Sequence, residues 1–244
     1  MSKLDGKVIL VAGGAGNVGE GIVEVFLSEG ATVVVPSRKA ESLDRLREYL
    51  GEKATERFVP IVGNIGTLEG VAERRDRLLD KLGRLDSVIV ALGGWWMGNL
   101  PLTELSMDVW QNYLESNLTS HFVAAKTFLP VLETQENTSY TLLGGSAAET
   151  PFPKVSPVAI TAAGQLMLAK VVIEEMKQQG SKVRINELIV EGMVKTRVMK
   201  EYSQPNWISP QEIGEYLAWL VSDSAYMVTG SILHLNQQPL ELAS

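Results

Sequence analysis

Two rhythms of apolar residues alternate along the chain. Val8-Ile9-Leu10-Val11-Ala12 is an unbroken apolar run of strand length. The glycine-dense stretch Gly13-Gly14-Ala15-Gly16-Asn17-Val18-Gly19 follows at once. Helical spacing starts behind it, with Val18, Ile22, Val25 and Phe26 on one face and Gly30 as the stop. Residues 31–35 are β-branched and uncharged after Ala31, as in a strand buried on both faces. Residues 39–50 return to helical spacing through Leu43, Leu46 and Leu50, and 58–62 predict a third strand. Thr67 is placed to cap a charged helix running to Leu82, with Gly83 ending it.

The second half keeps the alternation. A strand over 85–92 closes on Gly93-Gly94, and a loop with Trp95, Trp96 and Met97 follows. Residues 107–132 read as one long helix with Pro130 near its end, and 140–143 as strand five. A second long helix, rich in Ala and Leu, covers 158–179, and strand six covers 183–190. A loop with Pro205, Trp207 and Pro210 leads to a helix over 211–221 and a last strand over 231–235. Repeated strand–helix units need crossover connections, which give a parallel sheet with helices on both faces. Ligands then bind at the carboxyl ends of the strands. No short repeat, low-complexity segment or linker interrupts residues 1–244, so one α/β domain is expected.

Composition narrows the function classes. A chain of 244 residues suits a single core, and 45% hydrophobic with 21% charged residues reads as globular. The net charge of −7 without a basic cluster argues against nucleic acid and anionic membrane as partners. With no cysteine, disulfides and thiolate chemistry are excluded, and a reducing cytoplasm is the expected location. The first seven residues do not read as a signal peptide, so none is expected, and no apolar run is expected to span a membrane. His121 and His234 are far apart, and no His/Asp/Glu cluster has metal-ligand spacing, so no metal site is expected.

The strongest chemical signal is the first strand–turn–helix. Gly13-x-x-Gly16-x-x-Gly19 and Gly14-x-Gly16-x-x-Gly19 both fit a tight turn that brings backbone close to a phosphate at a helix N-terminus. Asn17 tolerates a left-handed backbone where a further glycine would otherwise serve. The alternative is a glycine turn with no ligand. Ser37 and Arg38 follow the second strand, where an acid would favour NAD. A hydroxyl and a guanidinium suit a 2′-phosphate instead, so NADP(H) is preferred over NAD(H) if a dinucleotide binds.

With these motifs in this order, nearly the whole chain resembles the short-chain dehydrogenase/reductase family. The resemblance implies a single Rossmann-type domain with a mostly parallel seven-stranded sheet. It implies an NAD(P)(H)-dependent oxidoreductase acting on a small carbonyl or alcohol, and a homodimer or homotetramer built on the two long helices. By position in the family's motifs, Gly13, Gly16, Asn17, Val18 and Gly19 would approach the pyrophosphate. Asn64-Ile65 resembles the pair that brackets the adenine, and Leu92, Gly93 and Gly94 occupy the place of a ribose-side motif. Gly192 and Thr196 resemble the Gly-x-x-x-Thr at the nicotinamide amide and pyrophosphate. Asn117 matches an Asn that kinks the long helix and orders a water in the proton relay. Ser146 lies near the Ser that steadies the substrate oxygen, although the spacing points closer to Ala147.

The resemblance fails at the family's proton donor. Ile160 stands at the Tyr position and Gly164 at the Lys position, and neither transfers a proton. The chain's only Tyr-x-x-x-Lys, Tyr49 and Lys53, lies on another part of the fold and is a chance match. Glu149, Thr150, Lys154, Thr161 and the loop residue Tyr202 are the candidates for a substitute. Glu191 replaces an expected Pro, so it points away from a pyrophosphate or weakens its binding, and Asn236-Gln237 stands where Asp-Gly-Gly usually closes the chain. Two readings result. One is an NADP(H)-dependent oxidoreductase with an unconventional proton donor and an apolar pocket including Trp95, Trp96 and Met97. The other is an inactive dinucleotide sensor or assembly scaffold.

Overall fold

The computed structural model describes residues 2–236 apart from 68–70, 72–74, 77 and 81. Seven strands make one sheet in which all six adjacent pairs are parallel. They are β1 (Val8–Ala12), β2 (Thr32–Ser37), β3 (Phe58–Val62), β4 (Ser87–Val90), β5 (Ser139–Gly145), β6 (Arg184–Val190) and β7 (Ser231–Leu235). Their order is β3-β2-β1-β4-β5-β6-β7, so the winding reverses between β1 and β4. That reversal opens a crevice at the carboxyl ends of these two strands, where the two halves diverge.

Side-chain alternation in the central strands builds two cores. Leu10, Val34, Val88, Val90, Tyr140 and Ile185 face one side. There they meet Val123 and Phe128 of α4 (Ser120–Glu133) and Ala169 and Val172 of α5 (Ser156–Gln178). Ile9, Val11, Val33, Val35 and Ile89 face the other side. They pack on Ile22 and Phe26 of α1 (Gly19–Ser28), Leu43 and Leu46 of α2 (Ala40–Leu50), and Ile213 and Leu217 of α6 (Pro210–Val221). A parallel sheet covered on both faces explains why its strands read as continuous apolar runs. Pro60 is tolerated in β3 because that strand lies at the sheet's edge.

Several expectations shift. The fourth strand is shorter than 85–92, which leaves Leu92 and Gly93 in a loop. The long helix over 107–132 is helical throughout, but α3 (Met107–Leu114) passes into α4 through a π turn at Glu115–Thr119. The helix expected from Thr67 lies mostly outside the described residues, as does Gln237. The expectation of no membrane-length apolar segment is corrected. α5 is long and apolar enough by composition to cross a membrane. Here it covers a sheet face, with Val158, Thr161, Gln165, Leu166, Ala169, Val172 and Met176 buried at helical spacing.

Candidate dinucleotide site

The glycine turn is shaped first by the chain itself. Gly13 has φ of 86°, and a Cβ there would overlap the carbonyl oxygen of Ala91. A Cβ on Gly19 would overlap the carbonyl oxygen of Gly13. These two positions need glycine so that β4 and α1 can close on the turn. Gly16 N–H donates to the Gly13 carbonyl at 2.9 Å and Glu20 N–H to the Gly16 carbonyl at 2.9 Å. Asn17 is exposed and does not use the left-handed backbone that Asn tolerates.

Beside this turn is a cavity of about 350 Å³ at the β1–β4 reversal. Gly13, Gly16, Ser37, Arg38, Asn64, Ile65, Leu92 and Gly93 all line it. Asn17, Val18, Gly19, Gly94, Gly192 and Thr196 do not. Ala15, Ser42, Gly63, Asn112, Glu115 and Ser116 also line it and were missed. Asn64 Oδ1 accepts from Gly66 N–H at 2.9 Å, a local turn that a reader of the sequence could have found. Asn112 and Glu115 arrive from α3 and the π turn, and no local motif announces them. Ser37 folds its hydroxyl onto Lys39, donating to that residue's carbonyl at 3.1 Å. Arg38 is exposed with no ion-pair partner among the described residues. A larger groove of about 970 Å³ lies among Glu133–Asn137, Gln179–Arg184, Asp223 and Tyr226, at the amino ends of β5 and β6. Its Arg184 is already committed to the carbonyls of Leu220 and Ala225 at 2.8 and 3.2 Å. It also lies at the wrong end of the strands for a doubly wound fold, so the smaller cavity is the candidate site.

Asn117 sits in the π turn as the resemblance implied, but its amide is already occupied. Nδ2 donates to the Gly94 carbonyl at 3.0 Å, and Oδ1 accepts from Gly94 N–H at 3.1 Å. Ser116 Oγ adds a third bond to Oδ1 at 2.8 Å. The Asn117 side chain therefore clamps the loop after β4 at Gly94. His121 supports the same loop through Nε2 and the Leu92 carbonyl, 3.2 Å apart. It is fully buried, and desolvation pulls its pKa down to about 4, so the ring is neutral at physiological pH.

The opposite wall belongs to the loop after β5 and the start of α5. Ser146 is half-buried at the carboxyl end of β5, while Ala147 is buried. Trp95 meets Phe152 edge-on with ring centres 6.2 Å apart, which joins the loops after β4 and β5. Trp96 instead packs on Tyr113, and Met97 is exposed. Ile160 is 45% exposed, and Gly164 faces the end of the Leu118 side chain. Thr161 is unavailable as an acid, because its hydroxyl donates to the Pro157 carbonyl at 2.6 Å within α5. Glu149 pairs with His234 at 2.9 Å, and Lys154, Thr150 and Tyr202 are exposed. Tyr49 donates to Glu24 at 2.8 Å and Lys53 binds the same carboxylate, so that pair is a structural network on α1 and α2. Glu191 is turned toward the end of β7, where Asn236 Nδ2 donates to it at 3.1 Å.

Outside the cavity lining, the Thr196 hydroxyl is buried without a hydrogen-bond partner among the described residues, which is costly. A glycine turn at a helix start and an exposed Arg beside the second strand supply donors for a phosphate-rich ligand.

Fold and crevice together define a doubly wound nucleotide-binding protein. The chain belongs to the short chain dehydrogenase family, whose pattern it matches over residues 7–207. Members of this family bind NAD(H) or NADP(H). The chain is 25% identical to a 3-oxoacyl-[acyl-carrier-protein] reductase, FabG, of Thermotoga maritima, over 96% of this chain and 98% of the relative. It is 27% identical to glucose 1-dehydrogenase 2 of Bacillus subtilis, over 96% and 94%. A short-chain type dehydrogenase/reductase from Mycobacterium ulcerans superposes with a TM-score of 0.85 at 19% identity, over 96% and 90% of the two chains.

Proposed function

We propose that the protein is an NADP(H)-preferring oxidoreductase for a small carbonyl or alcohol, working without the family's Tyr/Lys proton relay. The observation that carries this reading is the cavity in which Arg38 stands unpaired beside the glycine turn. An exposed guanidinium at the end of β2 attracts a 2′-phosphate, and no acid there would hold the ribose hydroxyls of NAD(H) instead. The bound dinucleotide supplies hydride, and the protein supplies placement. Trp95 and Phe152 give the substrate an apolar wall. At Ile160 and Gly164 the chain offers no proton, so turnover is slow. The sensor or scaffold reading gains nothing from the relatives named above, which are described as reductases and dehydrogenases. A cytoplasmic homodimer or homotetramer, without nucleic-acid or membrane partners, accords with the acidic, cysteine-free sequence.

The test is NADPH-dependent reduction of an aromatic ketone by the wild type and by Ile160→Tyr/Gly164→Lys. A lysine at 164 requires Leu118 to move aside, because a Cβ there would lie 2.9 Å from its Cδ2. The wild type should turn over at least ~100-fold more slowly than the double variant, within the range that a positioned acid contributes. Ordinary wild-type rates would show that another group delivers the proton.

A further inference from the structure

Glu20 occupies the second position of α1, directly after the last glycine of the turn. An acid there is favourable to the helix dipole, but it competes with a phosphate for the same partial positive charge. Glu20 is also only 5% exposed, so water does little to screen its charge. Left alone, it would repel the pyrophosphate that this helix start is shaped to hold.

Arg197 meets it. Nε and Nη2 donate to the two oxygens of Glu20 at 3.2 and 3.1 Å, a bidentate pair. Nearby Glu24 is neutralised separately, by Lys53 with Tyr49 and Gln211, so that network leaves Arg197 to Glu20. Arg197 directly follows Thr196, whose buried hydroxyl is the orphan noted above, and it opens the 3-10 segment Arg197–Tyr202. One ion pair thus joins the phosphate end of α1 to the loop carrying Gly192 and Thr196.

We propose that Arg197 is a positioning residue for the dinucleotide: by neutralising Glu20 it allows the N-terminus of α1 to accept the pyrophosphate. This rests on the dinucleotide reading above. The pair acts through charge, which separates it from a tether that only holds the loop. A tether is broken equally from either end. A shield is lost only when Arg197 goes, and it becomes unnecessary when Glu20 goes.

Calorimetric titration with NADPH distinguishes the two in the wild type, Glu20→Gln, Arg197→Ala and the double variant. Adenosine 2′-monophosphate, which has the 2′-phosphate but no pyrophosphate, is the second probe. Arg197→Ala should weaken NADPH at least tenfold and leave adenosine 2′-monophosphate within twofold. Glu20→Gln should bind NADPH as tightly as the wild type or more tightly. The double variant should recover at least threefold over Arg197→Ala. Arg197→Lys, which keeps the charge, should stay within threefold of the wild type. Should Arg197→Ala not fold, Glu20→Gln and Arg197→Lys still decide. Equal losses in Glu20→Gln, Arg197→Ala and the double variant, or no loss in Arg197→Ala, would overturn the proposal while wild-type NADPH binding stands. No wild-type binding of NADPH would instead overturn the dinucleotide reading, and this proposal with it.

Discussion

Glu187 points from the middle of β6 into the core beneath α5 and is fully buried. Oε1 accepts from Gln165 Nε2 at 3.2 Å, and Oε2 has no hydrogen-bond partner among the described residues. Burial pushes its pKa up to about 7, and Glu149 pushes the same way, while Lys170, Gln165 and His234 pull against them. The folded state therefore holds a proton that the unfolded state releases between about pH 4.5 and 7. Stability from this group is greatest below that window and falls as pH rises through it. His121 acts in the opposite sense over nearly the same range, because its folded pKa lies near 4 and its unfolded value near 6.5. The wild-type profile is flattened by this opposition, so the difference between variants is what reports on Glu187. Glu187→Gln removes the titration. In urea denaturation its advantage over the wild type should grow from near zero at acid pH to ~2–3 kcal/mol above pH 7. A difference independent of pH would contradict the assignment. In the sequence, Glu187 is only a charge inside an apolar strand, and its burial depends on the helix laid across it. Arg38 was legible as a cavity residue because it directly follows β2.

At the scale of elements, hydrophobic period found the described helices and strands but not all their ends. β4 stops at Val90 because the backbone beyond it turns under Asn117 and His121, contacts made from a helix some 25 residues later. The outer faces of α4 and α5 hold a second kind of information. Phe122, Met167 and Val171 are each exposed although their helices already cover the sheet. Three large apolar side chains on neighbouring helices make a surface that a second copy of the chain would cover. Light scattering should give a mass of two or four times 26.6 kDa, and Met167→Glu should lower it. A monomer at micromolar concentration would contradict the homo-oligomer.

At the scale of the molecule, alternation of elements foretold a doubly wound parallel sheet, and the winding reversal placed the crevice between β1 and β4. Eight of the residues expected at a dinucleotide do line one cavity, contributed by the β1–α1 turn and the ends of β2, β3 and β4. Gly192 and Thr196 were expected with them but are not among the residues lining that cavity; the Arg197–Glu20 pair joins their loop to the start of α1. This separation was not legible, because loop paths depend on pairs such as Glu20–Arg197 that join positions 177 residues apart. If Arg38 selects the 2′-phosphorylated dinucleotide, parallel calorimetric titrations of the wild type with NADPH and NADH will separate the two cofactors. NADPH should bind at least ~10-fold more tightly, a difference of ~1.4 kcal/mol, and Arg38→Ala should abolish the preference. Equal affinity for the two, or binding of neither, would contradict it.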